Sequence, residues 1–145
     1  MSVTIILPFK PISINNMYYE NRKHGMKSEA KDFCYQVNWE LTKYGAQLKQ
    51  LRSQFDETKH SLSVTMTFNY MNFYTKDRKI SSKIYDLTNS EKLLLDLVVD
   101  AAHFGTAPYK SPNLCLNDKY VVELHSYKKP STSDSIEITI AIVTL

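Results

Sequence analysis

The sequence predicts an α+β fold, and two periodicities carry that prediction. Residues 62–70 and 136–142 alternate apolar and polar side chains with the period of a strand. Residues 30–44 and 93–102 repeat apolar side chains at helical spacing. Glycine occurs only at Gly25, Gly45 and Gly105, so no dinucleotide fingerprint and no phosphate loop can be written in the chain.

In chain order, the β-branched run Val3, Thr4, Ile5, Ile6 and Leu7 is closed by Pro8 and reads as an opening strand. Pro11 follows, and the polar, aromatic stretch to Gly25 reads as a long loop of the kind that carries function. Ser28 is placed to N-cap a helix bearing Ala30, Phe33, Val37, Leu41 and Tyr44, with Gly45 as the residue that ends it. Leu48, Leu51 and Phe55 continue a helical pattern after that break, with Lys49 and Arg52 on its outer side. Leu62, Val64, Met66, Phe68 and Tyr70 then form one face of a half-buried strand. Residues 76–83, rich in lysine and arginine and without apolar period, read as a basic loop.

Thr88 and Glu91 have capping-box spacing, and Leu93, Leu94, Leu95, Leu97, Val98, Val99, Ala101 and Ala102 predict a central helix apolar around most of its circumference. Residues 119–128 and the Ile136, Ile138, Ile140, Ile142 alternation close the chain as a terminal meander. The order is β-α-β-α-β-β in a single domain over residues 1–145, a mixed sheet packed against helices on one side.

A chain of 145 residues buries roughly 70 % of its unfolded surface around one core. Eighteen Lys and Arg against 15 Asp and Glu leave a net charge of +3, which by itself points to no particular partner. Two cysteines, Cys34 and Cys115, and four histidines form no CxxC pair and no HExxH helix, which argues against structural zinc. The cysteines read as small buried hydrophobes of a reducing cytosol, with a disulfide left open. No apolar run reaches the ~18 residues of a membrane span, and the first residues lack a charged leader, so the expected compartment is the cytoplasm.

At about 100° per residue, Asn89, Lys92, Asp96, Asp100 and His103 fall within roughly 80° of one another on the central helix. Such a polar seam is the solvated face of an amphipathic helix or the wall of a site. Its company points to the second. Asp86-Leu87-Thr88-Asn89, then Lys92 and Asp96, then Leu116-Asn117-Asp118 about twenty residues on, resemble the RusA family of Holliday junction resolvases. The loop from Pro8 to Pro11 with Ser13, Asn15, Asn16, Tyr18 and Tyr19, the strand before it and the Ser28 helix after it also resemble that family's start. The likeness extends from Val3 to about Ile140 through short motifs.

The resemblance implies a homodimeric, Mg²⁺-dependent endonuclease, with Mn²⁺ as a substitute, that nicks four-way DNA junctions in recombination and repair in a bacterial or phage-infected cell. It implies metal binding by Asp86 and Asp118 and catalytic roles for Asp86, Lys92 and Asp118. Two positions depart from the family pattern: Thr88 stands where a second aspartate is expected, and Asn117 where an acidic residue often precedes Asp118. Mg²⁺ takes as few as one or two protein carboxylates, so Asp86 and Asp118 remain a sufficient minimum. Thr88, Asn89, Asp96 and Asn117 are the neighbouring groups available to orient ligands or bind a metal water, and Thr88 equally suits a purely N-capping role. Lys92 would stabilise charge developing at the phosphate, and it also suits an i,i+4 pair with Asp96 of ~0.3 kcal/mol.

For DNA binding the candidates are Lys76, Arg78, Lys79 and Lys83 of the basic loop, with Asn15, Asn16, Tyr18, Tyr19, Arg22 and Lys23 of the first loop. A domain with a radius of gyration of about 15 Å does not grip two opposed strands alone, and a two-fold dimer would. The competing readings are a non-catalytic branched-DNA-binding relative whose Thr88 marks a decayed site, and a single-strand or RNA nuclease.

Overall fold

The computed structural model describes residues 1–10, 28–81, 88–100 and 113–144, without the side chains of residues 88–90. Strand β1 (Ser2–Leu7) is followed by helix α1 (Ser28–Leu41), a 3-10 turn (Thr42–Tyr44) and helix α2 (Gly45–Gln54). Strand β2 (His60–Tyr70), helix α3 (Thr88–Val98), a second 3-10 turn (Asp118–Tyr120), strand β3 (Val121–Pro130) and strand β4 (Ser135–Thr144) complete the order. Helices and one mixed sheet make this an α+β fold, as the sequence predicts.

The sheet runs β1-β4-β2-β3, with β4 antiparallel to both neighbours and β2 parallel to β3. The expected terminal meander is therefore not formed. Consecutive strands β3 and β4 lie on opposite sides of β2, and residues 131–134 arch over its end. Two strand spacings are about 10 Å, which four residues cross easily. The arch is tied down where it passes β2. Ser131 N–H donates to the Tyr70 carbonyl at 2.9 Å, and an Asp134 carboxylate oxygen accepts from Met71 N–H at 3.0 Å. Composition explains the exchange of places: β4 brings three fully buried isoleucines to the centre, whereas β3 carries Glu123, His125, Lys128 and Lys129 and suits an edge.

Register turns the alternation of each strand into rows across the sheet. Ile5, Ile138 and Met66 form one row, Val3, Ile140 and Val64 a second, and Leu7, Ile136 and Phe68 a third, all buried. On β3 the same rows end in Ser126, Leu124 and Lys128, which is where the apolar face gives out. Against the rows pack Ala30, Phe33, Cys34, Val37 and Leu41 of α1, whose spacing is one helical face. Phe9 meets Phe33 edge-on at 5.5 Å.

Helix α1 begins at Ser28 itself and stops where Thr42 Oγ1 donates to the Trp39 carbonyl at 2.6 Å, a side-chain bond that competes with continued helix. Gly45 does not end that helix, as its composition suggests it should. Its backbone is right-handed helical, φ −54° and ψ −46°, and it opens α2. Tyr44 in the turn accepts a hydrogen bond from Ile6 N–H at 3.1 Å, so the helical layer satisfies a donor on the edge strand β1.

Both cysteines are free thiols; Cys34 is buried as expected and Cys115 is exposed, against expectation. Burial pushes the Cys34 thiol up from 9.0 to about 11. Among the described residues no helix is long and apolar enough to cross a membrane.

Ile138 is fully buried at the centre of the middle row. Ile138→Ala is expected to lower unfolding free energy by about 2–5 kcal/mol in urea titration, and Ile6→Ala, on the opposite face of β1, by under half as much. The unfolded Cys34 thiol ionises near pH 9 while the folded one resists to about pH 11, so its contribution is intact below pH 9 and is lost as pH rises through about 11. Urea midpoints of the natural chain and Cys34→Ala, compared from pH 8 to 11, are expected to diverge in that window.

Candidate metal centre

Helix α3 buries Leu93, Leu94, Leu97 and Val98 and exposes Lys92, with Asp96 half-buried between them. It ends at Val98, one turn short of the predicted end, so Asp100 lies beyond the helix rather than on its seam, and His103 lies outside the described residues. The ending has a clear cause. A helix leaves its last four carbonyls without helical partners, and here another segment takes the last two and the two that follow. Leu114 N–H donates to the Val98 carbonyl at 2.9 Å and Leu116 N–H to the Val99 carbonyl at 3.0 Å. The Asn113 side-chain amide donates to the Asp100 carbonyl at 2.9 Å and the Leu97 carbonyl at 3.4 Å.

Leu114 and Leu116 anchor this strap in the core, and Cys115 between them points outward. Cys115 takes a left-handed backbone, φ 54°, held by its N–H donating to Asn113 Oδ1 at 2.8 Å. The strap then enters the 3-10 turn, where Asn117 Oδ1 accepts from Lys119 N–H at 2.9 Å. Asn117 thus caps the turn that carries Asp118.

The consequence is a cluster. Carboxylate oxygens of Asp96, Asp100 and Asp118 all lie within 4.8 Å of one another. Two of these residues stand at the C-terminal end of α3, where the helix dipole is negative, so positive charge brought close to them is stabilising. Three hard oxygen donors suit a divalent cation of the Mg²⁺, Mn²⁺ or Ca²⁺ type. Two oxygens on one Mg²⁺ lie at most about 4.2 Å apart, so a small side-chain rotation brings the set within one shell. The residues present fit such an ion.

The far side of the turn is held rigidly. Tyr120 O–H donates to Glu57 Oε2 at 2.6 Å, which raises the phenol's pKa, and its ring meets Phe55 edge-on at 5.2 Å. Lys119 Nζ sits 5.2 Å from the Tyr120 ring centroid. Asp56, in the α2–β2 turn beneath, accepts from both Thr58 N–H and Thr58 Oγ1–H, bonds that hold its carboxyl below the usual range.

Of the residues singled out from sequence, the fold brings Asp118 to Asp96 and leaves Lys92 on the same helix. Asp86, Lys83, Asn15, Asn16, Tyr18, Tyr19, Arg22 and Lys23 lie outside the described residues, and Thr88 and Asn89 are described as helix backbone only. Asp100 was legible in the sequence only as a seam position, and its four-residue spacing from Asp96 was the available signal.

Lys76, Arg78 and Lys79 lie in a loop, as expected, and that loop is the tip of a short β-hairpin. Tyr74 and Ile80 pair across it, Thr75 N–H donates to the Lys79 carbonyl at 2.7 Å, and Arg78 N–H to the Thr75 carbonyl at 3.0 Å. Arg78 supplies the left-handed residue, φ 60°, that a three-residue hairpin loop requires.

No protein-family model matches this chain, and no curated protein matches it.

Asn113→Ala would strip the Leu97 and Asp100 carbonyls of this donor. It is expected to cost about 1–2 kcal/mol by urea denaturation and to weaken Mn²⁺ binding measured by calorimetry, because Asp118 is then held less firmly against Asp96.

Proposed function

We propose that this chain is a divalent-metal-dependent endonuclease acting on branched DNA, of the RusA resolvase type. The observation that carries the reading is the approach of Asp118 to Asp96 and Asp100, 22 and 18 residues away in sequence, at the C-terminal end of the helix that bears Lys92. Asp96, Asp100 and Asp118 would hold the ion; Asp86, which the resemblance pairs with Asp118, lies outside the described residues. A bound ion would supply a water of lowered pKa and offset charge on the phosphate.

The protein's own groups do the rest. The carboxylates orient the site at the end of α3, and the strap of residues 113–116 keeps Asp118 in register with it. Lys92, exposed one helical turn before Asp96, offers an ammonium to the phosphate or the leaving 3′ oxygen. The cations of the hairpin, remote from the cluster, would attract the polyanion at a separate place along its backbone. Two copies related by a two-fold axis would present two such clusters to a substrate that is itself pseudo-symmetric.

A labelled four-way junction, with duplex and single-strand controls, tests this in Mg²⁺ or Mn²⁺. Paired nicks confined to the junction are expected, abolished in Asp118→Asn and in Lys92→Met, with Lys92→Met still binding the junction. Equal cleavage of duplex or single strand, or normal turnover by Lys92→Met, would overturn the assignment.

A further inference from the structure

The acidic cluster and the basic hairpin stand at opposite ends of the sheet. Asp118 immediately precedes β3, whose first residue pairs with Leu62 near the start of β2, while the hairpin follows the end of β2. The stretch of β2 between those two ends, Leu62 to Tyr70, spans about 26 Å at ~3.3 Å per residue. That strand alone covers most of one turn of B-DNA, roughly 34–36 Å.

The hairpin is built to present its tip. Phe73 is buried beside Tyr70 and meets the Tyr74 ring edge-on at 4.9 Å, so the exposed face stands on a side chain fixed in the core. Ser81 N–H donates to the Phe73 carbonyl at 2.9 Å and closes the base. At the tip Lys76, Arg78 and Lys79 outnumber Asp77 and all four are exposed. Below them Tyr74, 54 % exposed, faces Ile80, 59 % exposed. Cations flanking a small apolar face match a duplex backbone, which offers phosphates on either side of deoxyribose.

We propose that the hairpin of residues 73–81 is a second DNA contact, gripping the backbone of a duplex arm about one helical turn from the carboxylate cluster. This rests on the nuclease reading and adds to it a requirement for arm length. An arm must extend about ten base pairs past the cluster to reach the hairpin, and the grip is indifferent to sequence because it uses phosphate and sugar.

The test is binding of four-way junctions with arms of about 25 or about 6 base pairs, by fluorescence anisotropy without divalent metal, so that cleavage plays no part. The natural chain is expected to bind the long-armed junction at least about tenfold more tightly. The triple variant Lys76→Gln, Arg78→Gln, Lys79→Gln is expected to bind long arms as weakly as short ones, with short-arm binding unchanged and the salt slope on long arms reduced by about 2.7. Tyr74→Ala, at an exposed position, is expected to keep the melting temperature and lose part of the long-arm advantage. An equal loss on both junctions, or no loss, overturns the hairpin's role while leaving the nuclease reading intact. Failure of the natural chain to bind any junction overturns both. A change of oligomeric state in Tyr74→Ala or Ile80→Ala would show the face to be an interface between copies and would overturn the proposal too.

Discussion

The fold depends on the last strand being inserted at the centre of the sheet. Strand β1 has β4 as its sheet partner, and β4 also completes the apolar rows that β2 begins. Until residues 135–144 are in place, Val3, Ile5 and Leu7 have no neighbouring strand to extend, and α1 has only part of its platform. The structure is therefore dominated by pairings between distant parts of the chain, and its core is an all-or-none product of the two termini meeting.

A second constraint, smaller in energy, shapes the site. Helix α3 ends with carbonyls that need donors, and residues 113–116 supply them while sinking Leu114 and Leu116 into the core. Satisfying a helix end and assembling three carboxylates are thus one event. The geometry of Asp118 relative to Asp96 is set by backbone hydrogen bonds and buried leucines, which are insensitive to the repulsion among the carboxylates themselves.

The small net charge of +3 conceals a separation of opposite charges along the sheet. Acidic groups collect beside the start of β3, and basic groups project beyond the end of β2. Under the proposed function, that arrangement would let one molecule hold a divalent cation at one end and a polyanion's backbone at the other, with β2 as the spacer between them.

The sequence by itself determined the elements whose period is strong. The alternation of residues 62–70 and 136–142, the helical spacing from Ala30 to Leu41 and the leucine-rich α3 all formed as their patterns require, because each pattern presents a continuous apolar face. Tertiary structure decided what periodicity does not encode. The place of β4 followed from competition between strands for the buried centre, the helical backbone at Gly45 from the turn before it, and the early end of α3 from a strap arriving from elsewhere in the chain. Asp96 stood out by its spacing on the helix seam and Asp118 by the resemblance to RusA resolvases, but their meeting with Asp100 could not be read, because it rests on hydrogen bonds between backbone groups that every residue shares.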